Sequence, residues 1–133
     1  MNLNQLVKVV ISALEDVKAN DIVVLDVAKM STIFDRLIIA SAVSTRQAKA
    51  IASNVHDKVK FSGGVVYGIE GEGSGEWVLV DLGDIVVHIM LPIARTYYNL
   101  EGLWGQLETG LIEQVVVANK TKDKSTSRSN RFK

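Results

Sequence analysis

The hydrophobic positions at the start of the chain follow a helical period. Leu3, Leu6, Val7, Val10, Leu14 and Val17 recur three and four apart, with Lys8, Glu15 and Asp16 off the stripe, which predicts an amphipathic helix over Leu3–Lys18. Asn20 and Asp21 interrupt that pattern, and Ile22–Val27 is a β-branched run suited to a strand buried on both faces. Leu37–Ala42 is a second run of the same kind. Ser44 followed three residues later by Gln47 reads as a capping box, and Ala48, Ile51, Ala52, Val55 and Val59 continue at helical spacing, predicting a helix over Thr45–Lys60. Gly63 and Gly64 close it, Val65–Ile69 reads as a strand, and Glu70–Gly75 is a glycine-rich loop.

The pattern then switches to strict alternation. Glu76–Asp81 and Asp84–Leu91 form a predicted hairpin joined through Leu82 and Gly83. Setting Trp77 opposite His88, Val78 opposite Val87 and Leu79 opposite Val86 divides it into two faces. One is purely aliphatic, with Val78, Val80, Ile85, Val87 and Ile89, and is suited to packing on the helices; the other carries Trp77, Leu79, Val86, His88 and Met90. A three-residue loop would break this partition. Beyond Pro92, the segment Arg95–Trp104 holds two of the three tyrosines and one of the two tryptophans. Asn99 is placed to cap a short helix, and an earlier start would put Tyr97, Leu100 and Trp104 on one face, with Arg95, Tyr98 and Glu101 on the other. Adjacent tyrosines do not both point inward, and Tyr98 is the one expected at the surface.

Length and composition change the picture only in part. At 133 residues with 47% hydrophobic residues and one proline, the chain reads as a single folded α/β (α+β) domain. The absence of cysteine excludes thiolate chemistry and cysteine-bound zinc, and two histidines, His56 and His88, leave no histidine-rich metal site, so no metal or cofactor is expected. No apolar run reaches the roughly 18 residues needed to span a bilayer, nor is there a cleavable leader pattern, so no membrane association and a cytoplasmic location are expected.

The zero net charge conceals an asymmetry. Residues 1–117 carry nine Lys or Arg against fourteen Asp or Glu, whereas 118–133 carry six against one. The expected division is an acidic domain over 1–117 and a basic, disordered tail over 118–133, the latter suited to a minor contact with RNA. The acidic body favours a basic protein partner over nucleic acid.

Several stretches taken together identify a family. DIVVLDV at Asp21–Val27, DRLIIASA at Asp35–Ala42, STRQ at Ser44–Gln47, the pair Ala50 and Ile51, Glu70 and Gly71, WVLVDLGDIVVH at Trp77–His88 and RTYYNLEGLW at Arg95–Trp104 occur in the order seen in ribosomal silencing factors, the Iojap-like family, which the chain resembles over Leu3–Trp104. It departs from the pattern at Arg36 and Leu37, where aromatic residues are common, and at Ala42, where glycine is common. The resemblance implies a mixed sheet of about five strands flanked by helices, with nucleotidyltransferase-like topology but without its catalytic residues. It further implies docking on ribosomal protein fourteen of the large ribosomal subunit and steric obstruction of subunit joining, repressing translation under stress or in stationary phase, with no enzymatic activity.

Candidate contacts for that partner are Trp77, Leu79, His88, Met90, Arg95, Tyr97 and Tyr98, because aromatic and arginine anchors dominate interface energetics. On residue type alone, a core role for Trp77 outweighs docking; the resemblance reverses that order. His88 reads as a satisfied hydrogen-bonding residue. An unoccupied apolar docking face can also pair with itself, as a homodimer of the free protein. The alternative is a nucleotidyltransferase-like enzyme using carboxylates to hold magnesium against a nucleotide. Asp21 and Asp26 would point to opposite sides of a strand, Asp81 and Asp84 flank a turn, and the loop containing Glu70, Glu72 and Glu76 lacks a phosphate-binding lysine. Leu111–Val117 fits either a last strand or part of the tail.

Overall fold

The computed structural model describes residues 1–107 and 114–117, and of the side chains those up to Trp104. The order of elements is α1 (Leu3–Asp16), β1 (Asn20–Asp26), β2 (Arg36–Ser41), α2 (Thr45–Phe61), β3 (Gly68–Glu70), β4 (Trp77–Asp81), β5 (Ile85–Met90), α3 (Pro92–Tyr98), α4 (Leu100–Leu107) and β6 (Gln114–Val117). The strands form one mixed sheet in the order β3-β4-β5-β2-β1-β6. Among the described strands only β2 and β5 pair in parallel, and the chain between them runs through α2, β3 and β4. The five expected strands are β1 to β5, with β3 at Gly68–Glu70 where Val65–Ile69 was expected, so Val65–Tyr67 belong to the connection after α2. The segment left open by sequence supplies β6, antiparallel to β1, while the basic tail lies outside the described residues.

Each helix end has a local cause. Asn2 and Gln5 form a complete capping box at α1 that the sequence reading did not anticipate. Lys18 rather than Asn20 ends α1: at φ 61° it takes the left-handed position of a Schellman turn, with Ala19 N–H donating to Leu14 O and Lys18 N–H to Glu15 O. At α2, Ser44 Oγ accepts from Gln47 N–H as expected, but the Gln47 side chain does not return the bond to Ser44. It accepts from Val43 N–H and donates to the carbonyls of Val17 and Lys18, joining the start of α2 to the end of α1.

Both sheet faces are covered, unequally. Under α1 and α2 lies a core that includes Ile22, Val24, Ile38, Ala40, Val78, Val80, Ile85, Val87 and Ile89, with Val10, Leu14, Ile51 and Val55 from the helices. The aliphatic hairpin face therefore packs where predicted. The opposite face buries Val23, Leu25, Leu37, Ile39 and Met90 beneath Phe34, Ala94, Leu100 and Trp104. This explains the continuous hydrophobic runs in β1 and β2, and it corrects the expectation that the Trp77 face stands open. Leu37 and Ala42, two of the departures from the family pattern, are buried, and Arg36 pairs with Asp26 at 3.0 Å.

The hairpin register differs from the expected one by two residues. Trp77 lies opposite Met90, Val78 opposite Ile89 and Leu79 opposite His88. Leu82 N–H bonds Ile85 O, so the two-residue loop is Gly83 and Asp84, with Gly83 at φ +86°. A shift of two keeps every side chain on its face, which is why the face assignment holds while the partners change.

Candidate functional site

The aromatic residues singled out by sequence meet where β4 and β5 pass beneath α3. Trp77 is half-buried, and its Nε1–H donates to His88 Nδ1 at 2.9 Å, diagonally across the hairpin. Since the indole nitrogen only donates, His88 Nδ1 must be the unprotonated nitrogen and Nε2 carries the proton. His88 is buried, and burial pushes its pKa down to about 4. The Tyr98 ring sits 4.6 Å from that of Trp77, and Tyr97 stands perpendicular to Tyr98 at 5.0 Å. Three aromatic rings thus form a continuous row from the hairpin outward, anchored inside by an imidazole.

Exposure along this row corrects several expectations. Tyr97 is 80% exposed and Tyr98 50%, so both reach the surface and Tyr97 reaches further. Asn99, at φ 49°, ends α3 in the left-handed region while its Oδ1 accepts from Gly102 N–H at the start of α4. The chain turns there, and Tyr97 consequently does not share a helical face with Leu100 and Trp104, which pack on the sheet. Leu79 is half-buried on the hairpin face. Met90 is fully buried and takes its place in the core instead of on a docking surface.

Arg95 also turns inward. Its guanidinium pairs with the Glu101 carboxylate through Nε at 3.2 Å and Nη2 at 2.8 Å, and Nη1 donates to Asp21 O at 2.7 Å and Ser41 Oγ at 2.8 Å. Glu101 is a site residue the sequence reading left without a role; its spacing of six from Arg95 signals nothing until the chain bends at Asn99. Ile93, 86% exposed one turn before Tyr97, was also missed; with Pro92, Thr96 and Tyr97 it lines a shallow open recess.

Two of the carboxylates weighed for metal chemistry, Asp26 and Asp81, are engaged by local partners. Asp26 accepts from Ala28 N–H and pairs with Arg36, and Asp81 accepts from Gly83 N–H in the hairpin turn. Among the described residues, no three histidine, aspartate or glutamate side chains gather in a group able to hold a metal ion, and no helix is long and apolar enough to cross a membrane.

What this geometry displays is a row of aromatic rings, Trp77, Tyr98 and Tyr97, backed by the buried His88 on one α/β domain. The family described as ribosomal silencing factor during starvation matches residues 1–133, and the chain belongs to it. A ribosomal silencing factor of Chromobacterium violaceum is 50% identical over 105 residues, covering 79% of this chain and 86% of that one. A crystal structure of a C. violaceum protein superimposes with a TM-score of 0.77 at 50% identity, covering 79% of this chain and 88% of the other. A more distant mouse relative, named for mitochondrial assembly of the ribosomal large subunit, is 33% identical over 101 residues, 74% of this chain and 44% of that protein.

Proposed function

We propose that this chain silences ribosomes by occupying ribosomal protein fourteen on the large subunit, so that the small subunit cannot join. The observation that carries this reading is the row Trp77, Tyr98 and Tyr97, aromatic surface held in place from within on a member of the silencing-factor family. Such rings bury large area at low entropic cost, and interface energy concentrates in anchors of this type. The acidic excess of residues 1–117 complements a basic ribosomal protein, and the name of the mouse relative points to the large subunit. Obstruction needs occupancy alone, so the role is regulatory and non-enzymatic, exercised in the cytoplasm when nutrients run short.

Two further contacts belong to this reading. The basic 118–133 segment adds a minor, salt-sensitive contact with ribosomal RNA, and the aromatic row pairs with a second copy when no ribosome occupies it. Co-sedimentation with separated subunits, followed by gradient analysis of subunit joining, tests the proposal. Binding to the large subunit with a dose-dependent loss of joined ribosomes is the expected result. Binding to the small subunit, or binding without any effect on joining, would overturn it.

A further inference from the structure

We infer that Arg95 is a positioning residue of the docking surface, acting through Tyr98, and that the Arg95–Glu101 pair holds the α3–α4 corner in its binding geometry. This rests on the docking reading above and specifies how the surface is preformed. The argument begins with α3 itself. It has seven residues, about two turns, and none of its side chains is fully buried. A helix this short does not hold its conformation in water by itself, so its position depends on what ties it down. Pro92 starts it, Ala94 rests on the sheet, Tyr98 lies against Trp77, and Arg95 supplies the side-chain hydrogen bonds that tie it to other elements.

That anchorage is built from three distant parts of the chain. Glu101 brings α4; Ser41, itself buried, is the last residue of β2; and the Asp21 carbonyl comes from the start of β1. The Asp21 carbonyl is available because the β1–β2 pairing shifts register between Asn20 and Val23, where Asp21 takes a left-handed φ of 50°. The side chains of Arg95 and Glu101 are only 12% and 7% exposed, so the guanidinium is committed to these acceptors and does not face a partner. Tyr98 lies one helical turn from Arg95, with its ring on Trp77. Immediately after it, Asn99 N–H closes onto Arg95 O at 3.0 Å. Loosening Arg95 releases the turn that seats Tyr98, and binding then includes the cost of ordering it again.

The test combines binding with a local probe. Large-subunit affinity is measured for Arg95→Ala, Glu101→Gln, Tyr98→Ala, and each of the first two combined with Tyr98→Ala. The Trp77 indole N–H signal is followed by NMR in the free proteins, with Trp104→Phe identifying which of the two indoles it is. Arg95→Ala or Glu101→Gln is expected to weaken binding about tenfold alone and less than about twofold once Tyr98 is alanine, because neighbours acting through one another are non-additive. Both are also expected to move the Trp77 signal in the direction that Tyr98→Ala moves it.

Multiplying losses in the double variants would overturn the inference while leaving the docking surface intact, since Arg95 would then act independently of Tyr98. Unchanged affinity in Glu101→Gln, with Tyr98→Ala impaired, would overturn it equally, and this near-isosteric variant carries the test if Arg95→Ala fails to fold. Normal binding by Tyr98→Ala would remove both the inference and the docking reading beneath it.

Discussion

The indole N–H of Trp77 donates to Nδ1 of His88 at 2.9 Å, joining a half-exposed ring to a buried imidazole. The bond requires neutral His88. In the folded chain its pKa lies at about 4, against an ordinary value of 6.5, so the unfolded chain binds the extra proton first as pH falls. The stability contributed by a neutral His88 is therefore fully present above about pH 6.5, declines as pH falls, and is exhausted near pH 4, a total on the order of 3 kcal/mol. His88→Asn keeps an acceptor near the indole without titrating there. Urea midpoints of both proteins across pH 4 to 7 are expected to differ most at neutral pH and to converge toward pH 4. A difference independent of pH would show that His88 is not held neutral by burial.

Tyr98→Ala is the cleanest probe of docking, because Tyr98 is half exposed and supports little of the core. Its loss is expected to cost about 2 kcal/mol of large-subunit affinity, some thirtyfold, with less than about 1 kcal/mol lost from folding. Trp77→Ala confounds the two, since it also strips His88 of its donor; Trp77→Phe retains most of the ring and isolates the N–H. Thermal melts beside subunit co-sedimentation distinguish binding loss from unfolding.

Gly71 tests the backbone under Trp77. It adopts φ +89°, and a Cβ there would collide with the carbonyl oxygen of Trp77. Gly71→Ala is expected to destabilise the fold by about 2 to 4 kcal/mol. Gly73→Ala, in the same loop with nothing within 4 Å of its Cβ, is expected to stay within about 0.5 kcal/mol of wild type. Equal denaturant midpoints for the two variants would refute this account of the loop.

Deleting Thr121–Lys133 removes five of the six basic residues in 118–133 and only one bulky apolar residue, Phe132. The melting temperature is expected to stay nearly constant, while large-subunit binding weakens modestly and depends less steeply on salt. An unchanged salt dependence would remove RNA contact from the proposal.

Much of the architecture was already legible in local pattern. The stripes of α1 and α2, the Ser44 cap and the division of the hairpin into an aliphatic face and an aromatic one are encoded in residues a few positions apart, and local periodicity depends on little else. The hairpin partners were less legible, since two registers differing by two residues preserve the same faces and only the turn at Gly83 and Asp84 separates them. The composition of the site lay beyond local reading. Trp77, Tyr97 and Tyr98 could be picked out by residue type, but the inward turn of Arg95 depends on Asp21 and Ser41, 74 and 54 positions away. The burial of Met90 depends on the parallel pairing that sets it beside Ser41, and on the short helices returning over that face. Sequence determined which side chains share a face; only tertiary structure decided which face is covered, because burial is a property of surfaces brought together from distant parts of the chain.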